Sequence, residues 1–307
     1  MIDPLSEVIT QLQPRAVLAG KVISGAGRWG VRYGKYGHPS FCTVLEGRCR
    51  LSVEGQKPIV LETGDFVLMP ATPGFTMTGF DPGKPVFVDP KDHTGALEVR
   101  HGRKDGPADV RLLGGRFTFE SPDAALLVPL LPALVHARGD VRLATLANLV
   151  SEESRQRRLG RELVLGRLVE VMLIEALRAS PSGEETSGLA RALADPRLAA
   201  AIRELHADPA RAWTVVQLAK KAALSRSTFF EHFTRAVGMP PMEYLLVWRM
   251  ALAKGLLRRS DLPITQVAER VGYGSASTFS TAFSRHVGQP PGRYARDSGR
   301  LQMNDGL

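Results

Sequence analysis

The chain of 307 residues is too long for one small core, and its composition, 44% apolar and 23% charged, is that of ordinary globular domains. It shows no secretory signal and no apolar run near the ~20 residues that span a bilayer, so we expect a cytoplasmic protein with no membrane partner. The net charge of +9 falls within residues 191–300, where 17 Lys and Arg residues stand against 8 Asp and Glu residues while the remainder holds 23 of each. Such a basic segment indicates a phosphate-binding surface.

The first third of the chain predicts a short helix followed by a β-rich domain. Residues 3–13 predict an amphipathic helix with Asp3 as its cap and Leu5, Val8, Ile9 and Leu12 on one face. From about 17 to 120, short strands alternate with turn signals, which is typical of a β-sandwich or barrel. The predicted strands are Phe41–Leu45, Cys49–Val53, Ile59–Leu61, Phe66–Met69, Phe75–Thr78 and Val86–Val88.

Cys42 and Cys49, the two cysteines of the chain, fit a reducing compartment better than a disulfide scaffold. They flank a predicted turn at Glu46-Gly47. Two interpretations stay open, a pair of reduced, packed thiols and a redox switch.

Residues 122–180 predict helices, and residues 180–188 have the composition of a linker. One apolar stripe is wide enough for a homodimer interface, although packing against the preceding barrel would use the same residues. Its members are Leu165, Leu168, Val169, Met172, Leu173 and Leu177.

A sequence motif near the C-terminus occurs twice, 50 residues apart, and this repeat predicts two similar helical units. Its shared pattern is S-T-F-x-x-x-F-x-R-x-V-G-x-P-P-x-x-Y, from Ser227 to Tyr244 and from Ser277 to Tyr294. A shorter helical pattern precedes each copy, so each unit has the short helix, turn and longer helix of a helix-turn-helix.

The phenylalanines four residues apart in each copy predict the buried side of its second helix, and the opposite side is then free to meet DNA. Arg226 suits guanine, Glu231 suits cytosine, and Phe230 or Ala276 suits a thymine methyl. The predicted base-reading residues are Arg226, Ser227, Phe230, Glu231, Ala276, Ser277, Ser280 and Thr281. The predicted phosphate contacts are Ser225, Thr228, Arg235, Arg249, Lys254, Ser275, Thr278 and Arg285, with Arg258 and Arg259 as further candidates.

A helix of ~18 residues between the units would be ~27 Å long, close to the ~34 Å between successive major grooves on one face of DNA. The sequence therefore predicts two recognition helices in adjacent major grooves.

Residues 196–296 resemble the DNA-binding domain of the AraC/XylS family of bacterial transcription regulators. The matching stretches are LAKKAALSRSTFFEHFTRAVG, Trp248-Arg249-Met250-x-x-Ala253 and ITQVAERVGYGSASTFSTAFSRHVGQPPGRY. Residues 1–180 resemble the cupin sensor module of such regulators through GRWGVRYG, VLEGRCRLSV, LETGDFVLMP and GGRFTFESPDAALLVPLLPALVH.

The resemblance implies an α+β multidomain protein with an N-terminal cupin-like barrel and a C-terminal all-α domain with two helix-turn-helix units. The expected domains are 1–180 for the sensor (barrel about 1–120, helices about 122–180), 181–190 for a linker, 191–298 for the DNA-binding domain and 299–307 for a tail. The partners that the resemblance implies are double-stranded DNA, a second copy of the chain, RNA polymerase as a further candidate, and a small-molecule effector.

The cupin metal pattern of His-x-His, Glu and a later His is missing, because Ser40 stands where the second histidine belongs and Glu46 lies in the predicted turn. We therefore predict no cofactor, no metal and no catalytic site. The barrel is expected to hold a small, largely apolar molecule, with Trp29, Tyr33, His38, Phe41 and Phe75 as candidate lining. Two alternatives remain, a metal-dependent cupin enzyme fused to a DNA-binding domain and a purely structural barrel without a ligand.

Overall fold

The computed structural model describes residues 3–35, 37–89, 98–121, 124–156, 158–179, 188–259 and 262–304. The chain forms two compact units. The barrel unit consists of Gln13–Ser121 and Leu131–Thr186, and the helical unit of Met1–Leu12, Pro122–Leu130 and Ser187–Leu307. The predicted α+β multidomain architecture, with an N-terminal cupin-like barrel and a C-terminal helical domain, is confirmed.

The barrel unit is a nearly closed β-barrel in which the strand order is β7-β2-β6-β3-β9-β1-β8, with β4, β5 and β10 joined to this path through β3 and β5. The long strand β3 connects the two layers, pairing with β5 and β9 through its first half and with β4 and β6 through its second. The strands are β1 (Pro14–Ala26), β2 (Trp29–Tyr33), β3 (Ser40–Val53), β4 (Ile59–Glu62), β5 (Phe66–Met69), β6 (Phe75–Thr78), β7 (Pro82–Phe87), β8 (Glu98–Gly102), β9 (Val110–Phe119) and β10 (Val135–Ala137).

The predicted turn at Glu46-Gly47 is wrong, because β3 runs through it without a reversal. A register shift between Val44 and Glu46 marks a bulge, and Gly47 adopts a φ of 77° beside the carbonyl of Asp109, where no side chain fits. A glycine between two strand-like segments is compatible with a bulge or with a hairpin turn, and the sequence does not distinguish the two.

Cys42 and Cys49 therefore lie on one strand rather than on two arms of a hairpin. Burial raises the pKa of the Cys42 thiol, and burial also raises the pKa of Cys49 to about 12. Both stay protonated at neutral pH, which favours packed thiols over a reactive pair.

Two helices, α3 (Val141–Arg155) and α4 (Arg161–Arg178), pack on each other and on β1. Most of the apolar stripe that predicted a dimer interface is buried against the barrel, namely Leu165, Val169, Met172, Leu173 and Leu177, with Leu168 half-buried. The assignment of this stripe to a dimer interface is therefore wrong, since periodicity shows which face is apolar but not what covers it.

The helical unit contains the repeated segment and three short helical pieces. Its helices are α1 (Pro4–Leu12), α2 (Ala124–Leu127) with a 3₁₀ turn at Val128–Leu130, α5 (Leu189–Ala194), α6 (Pro196–Ala207), α7 (Val215–Lys221), α8 (Arg226–Val237), α9 (Pro241–Arg259), α10 (Ile264–Arg270), α11 (Ala276–Val287) and α12 (Pro291–Asn304). None of the helices formed by these described residues has the length and apolar character to cross a membrane. Leu189 already belongs to α5, within the expected 181–190 linker, and α12 continues past the expected boundary at 298; residues 180–187 and 305–307 lie outside the described residues.

The placement of α1 and α2 differs from the sequence prediction, which put both in the sensor domain. The predicted face of α1 is buried, but it packs on α2 and α6 of the helical unit, and Leu126 of α2 packs against the core of the second repeat. A short amphipathic helix carries no signal for which apolar surface it covers, so the sequence could not predict this placement.

Candidate nucleic-acid interface

Two helix-turn-helix units are present in the helical unit, α7 with α8 and α10 with α11, and α9 joins them. The turn of the first unit places Ala223 at a φ of 52°, and that of the second places Gly272 at 81°. The second turn is one residue longer than the first. Each recognition helix ends at a glycine in the left-handed conformation, Gly238 and Gly288.

The recognition helices α8 and α11 begin with the same hydrogen bonds. Ser225 Oγ accepts from the Thr228 backbone N–H at 3.2 Å, and Ser275 Oγ accepts from that of Thr278 at 3.2 Å. In both units the two hydroxyl oxygens are 2.8 Å apart. Ser225 and Ser275 are therefore the N-caps of α8 and α11.

The repeated aromatic residues form the core behind each recognition helix. The ring centroids of Phe229 and Phe233 are 5.5 Å apart, and Tyr244 meets Phe233 edge-on at 5.6 Å. Phe279, Phe283 and Tyr294 repeat this arrangement with the same two separations. All four phenylalanines are buried, which fixes the opposite side of each helix toward solvent.

The outward sides carry the predicted base-reading residues. Arg226, Ser227, Phe230, Glu231, Ser277 and Thr281 are exposed, whereas Ala276 and Ser280 are half-buried. Phe230 keeps 43% of its surface exposed, although its neighbour Phe229 is fully buried. An exposed aromatic side chain in the middle of a recognition helix is suited to a thymine methyl.

The predicted phosphate contacts divide into accessible and inaccessible groups. Arg235 and Arg285 are exposed on equivalent positions of α8 and α11, and the hydroxyls of Ser225, Thr228, Ser275 and Thr278 lie at the helix N-termini, where backbone amides favour anions. The prediction for Lys254 is wrong, because only 5% of this residue is exposed and its ammonium lies 5.3 Å from the Tyr294 ring centroid.

Two other arginines of α9 donate to protein groups. Arg249 donates to the carbonyl oxygens of Pro209 and Arg211, so its assignment as a phosphate contact is corrected. Arg258 Nη1 donates to the Tyr294 hydroxyl at 2.8 Å. Helical periodicity and charge alone do not show which basic residues of α9 face solvent, because only tertiary packing decides this.

A hydrogen-bonded chain behind the first unit had no signal in the sequence. His206 Nδ1 lies 2.6 Å from Glu7 Oε2, and His206 Nε2 lies 2.6 Å from the Tyr244 hydroxyl. The imidazole also stacks on Trp248, with 4.2 Å between ring centroids. Burial lowers the pKa of His206, and the hydrogen bond and charge of Glu7 oppose that shift without cancelling it.

The partners of His206 assign its neutral tautomer. Burial raises the pKa of Tyr244, whose hydroxyl therefore donates to Nε2, while Nδ1–H donates to the Glu7 carboxylate. This arrangement joins α1 to the aromatic core behind α8.

Comparisons with known proteins agree with this geometry. A cupin family model matches residues 3–180, and a helix-turn-helix domain model matches residues 218–297. An AraC-like transcription regulator of Streptomyces lividans is 37% identical over 96% of this chain and 98% of its own. The chain belongs to the AraC-like transcription regulators.

A second AraC-like transcription regulator, from Streptomyces antibioticus, is 36% identical over 96% of this chain and 99% of its own. The solved DNA-binding domain of AdpA in complex with a target DNA is 30% identical, covers 34% of this chain and 92% of that chain, and has a TM-score of 0.32. The matched helix-turn-helix model and the two Streptomyces relatives show that this AraC-like regulator is a DNA-binding transcription regulator, and those relatives are named as regulators rather than enzymes.

The candidate effector residues of the regulator lie at separate places in the barrel. Trp29 is buried and stacks with His101, and Phe41 is buried and stacks with Phe66. Tyr33 and Phe75 stack on each other with 4.7 Å between centroids. His38 is exposed, and its carbonyl accepts from the Thr72 hydroxyl.

Of these five residues, Phe75 lines a cavity. The cavity has a volume of about 420 Å³, and Arg32, Glu54 and Lys84 also line it. A second cavity of about 360 Å³ lies between the barrel surface and α3, lined by Arg111, Asn148, Glu152 and Arg155 among others. Within the parts of the chain that the structure describes, no group of three or more His, Cys, Asp or Glu side chains is placed to hold a metal ion.

Proposed function

We propose that this regulator reads a two-part DNA site with α8 and α11 in adjacent major grooves. The observation that carries the proposal is the duplicated geometry: two recognition helices with the same caps and the same aromatic core each turn a polar face outward. They are joined by α9, whose 19 residues span about 28 Å, near the ~34 Å between successive grooves.

Selection of sites from a random DNA pool with the full chain tests this proposal. The expected result is two sequence blocks whose centres are about 10 base pairs apart. A single block, or no enrichment over the starting pool, would overturn it.

The second part of the proposal is that the regulator acts as a homodimer through the outward face of α3 and α4. Large apolar side chains are exposed on these two helices and on the turn between them, away from the buried stripe: Val141, Leu149, Leu159, Leu163, Val164 and Val171. Several apolar residues on one outward surface favour a protein partner, and a second copy supplies a self-complementary one.

The mass of the full chain in solution tests this assignment. Wild type is expected to be a dimer, and Leu163→Glu, which places a charge on a side chain now 68% exposed, is expected to be a monomer. The matched change Arg167→Glu, on the same outward side of α4, controls for added charge. A monomeric wild type, or a dimeric Leu163→Glu, would refute the interface.

The third part is that the barrel holds a small, largely apolar effector that alters DNA binding. The regulator then acts in the cytoplasm, where the DNA lies, and RNA polymerase is a further partner. The stacked Tyr33 and Phe75 beside the cavity of about 420 Å³ support a barrel ligand site. A thermal-shift screen of apolar metabolites, followed by DNA affinity with each hit, tests it. If no compound changes either quantity, the ligand-independent barrel is the correct interpretation.

A further inference from the structure

Arg249 lies on α9 and contacts both the segment that leads into the first helix-turn-helix unit and the turn inside the second. Its Nε donates to the carbonyl oxygen of Pro209 at 2.7 Å, and its Nη2 donates to that of Arg211 at 2.9 Å, in the segment before α7. The guanidinium carbon lies 5.9 Å from the ring centroid of Tyr273, in the turn before α11. One side chain on the connector therefore touches both the segment before the first unit and the turn of the second unit.

The segment before α7 is itself held in place. The Asp208 carboxylate accepts from the Arg211 backbone N–H at 3.2 Å, and the Asp208 carbonyl accepts from Trp213 Nε1 at 2.8 Å. The Arg211 guanidinium lies 4.4 Å from the Trp213 ring centroid. The two carbonyls that Arg249 binds thus have defined positions relative to α7.

The turn of the second unit lies directly against this segment. A Cβ added to Gly272 would be 2.5 Å from the carbonyl oxygen of Ala210 and 2.5 Å from Arg249 Nη2. Gly272 also has a φ of 81°, which a side chain would strain. The turn of the second unit therefore meets the backbone of the segment before α7, with the Arg249 guanidinium beside the contact.

We propose that Arg249 is a positioning residue that fixes the separation and orientation of α8 and α11, and so restricts this regulator to DNA sites with one half-site spacing. The inference rests on the proposed function, in which both helices read DNA. A guanidinium is suited to this role because its planar fork donates in two fixed directions at once, whereas a lysine ammonium is a single point charge.

Affinities of the full chain for three duplexes test the proposal. The duplexes carry the selected two-part site, the same site with one base pair inserted between its halves, and the site with the half read by α11 scrambled. The variants are Arg249→Met, Arg249→Lys and Gly272→Ala, and Arg203→Met, an exposed arginine of α6, is the matched control for loss of charge.

Wild type and Arg203→Met are expected to lose about tenfold in affinity on insertion of the base pair. Arg249→Met and Gly272→Ala are expected to bind the intact site about fivefold more weakly, to lose only about threefold on insertion, and to bind the scrambled duplex within about twofold of wild type. The affinity of Arg249→Lys for the intact site, and its loss on insertion, are expected to lie between those of wild type and Arg249→Met. An unchanged insertion penalty in Arg249→Met, or equal losses on the intact and scrambled duplexes, would overturn the proposal.

Amide hydrogen exchange in the absence of DNA tests the link independently. Arg249→Met is expected to exchange faster in residues 209–213 and 272–275 while Phe229 and Phe279 stay protected. If selection yields no two-part site, the proposed DNA function fails by itself, and the exchange data still decide the link. Unchanged exchange in both segments would refute the role of Arg249.

Discussion

Glu7 and His206 are 199 residues apart in sequence, yet Glu7 Oε2 lies 2.6 Å from His206 Nδ1 and joins α1 to the helix that precedes the first helix-turn-helix unit. His206 then contacts Tyr244, which packs on Phe233 of α8. The pair therefore lies on a continuous path of contacts from α1 to a recognition helix within the helical unit.

Removal of the Glu7 carboxylate is expected to destabilise the helical unit. Glu7→Ala leaves the buried Nδ1–H of His206 without its acceptor, and since Glu7 is itself 37% exposed, we expect a loss of about 1–2 kcal/mol in the free energy of unfolding. Denaturant unfolding of the full chain measures it. Thr10→Ala, on the exposed side of the same helix, is the control and is expected to change the free energy by under about 0.5 kcal/mol. Equal effects of the two variants would show that the pair contributes nothing.

His206 predicts a pH dependence of stability with a definite sign. Its pKa is lowered in the folded state, so below the unfolded-state pKa of about 6.5 the unfolded chain binds more protons at this site. The stabilising contribution is present above that pH and is lost as the pH falls from there toward the lowered folded-state pKa. Between about pH 7.5 and 5.5, wild type is expected to lose more unfolding free energy than His206→Gln, which has no proton to gain. A steeper loss in the variant would contradict the direction of the shift.

Substitutions of the neighbours Phe229 and Phe230 are expected to have different effects, the first on stability and the second on DNA binding. Phe229 is fully buried, so Phe229→Ala is expected to cost about 3–5 kcal/mol of stability. Phe230 is largely exposed, so Phe230→Ala is expected to leave stability within about 1 kcal/mol and to weaken binding to the selected site by about 1–3 kcal/mol. Thermal unfolding and DNA titration of the same preparations check both. Val216→Ala, exposed on α7, is the control for the loss of an exposed apolar side chain.

The salt dependence of DNA binding is expected to distinguish exposed from buried basic residues. Arg235→Ala and Arg285→Ala each remove an exposed charge, and each is expected to reduce the slope of log K against log salt concentration by about 0.9. Lys254→Met is expected to leave the slope unchanged, because this side chain is buried beside Tyr294. If the slope falls for Lys254→Met and stays constant for both arginines, the phosphate assignments are reversed.

Local features of this fold were predictable from the sequence because local chemistry determines them. The serine caps of α8 and α11 depend on residues three apart, and the buried phenylalanine pairs depend on the helical period. Strands such as Phe66–Met69 and Phe75–Thr78 were predicted with their observed bounds, since a turn signal precedes each of them.

Features that depend on distant partners were not predictable. The apolar face of α1 was correctly predicted, but its position on α6 depends on His206, which a sequence pattern cannot connect to Glu7. Arg249 and Lys254 are basic residues of the kind that contact phosphates. Their packing against Pro209, Arg211 and Tyr294, which the sequence does not show, makes them unavailable to DNA. The apolar stripe of α4 was likewise correct as a pattern and wrong as an interface.

Methylation interference at guanine N7, which lies in the major groove, most directly tests whether both recognition helices read DNA. If both helices read DNA, two interfering clusters are expected about 10 base pairs apart on one face of the selected duplex, and Arg226→Ala is expected to remove interference only in the cluster that α8 contacts. A single cluster, or the loss of both clusters in Arg226→Ala, would contradict it.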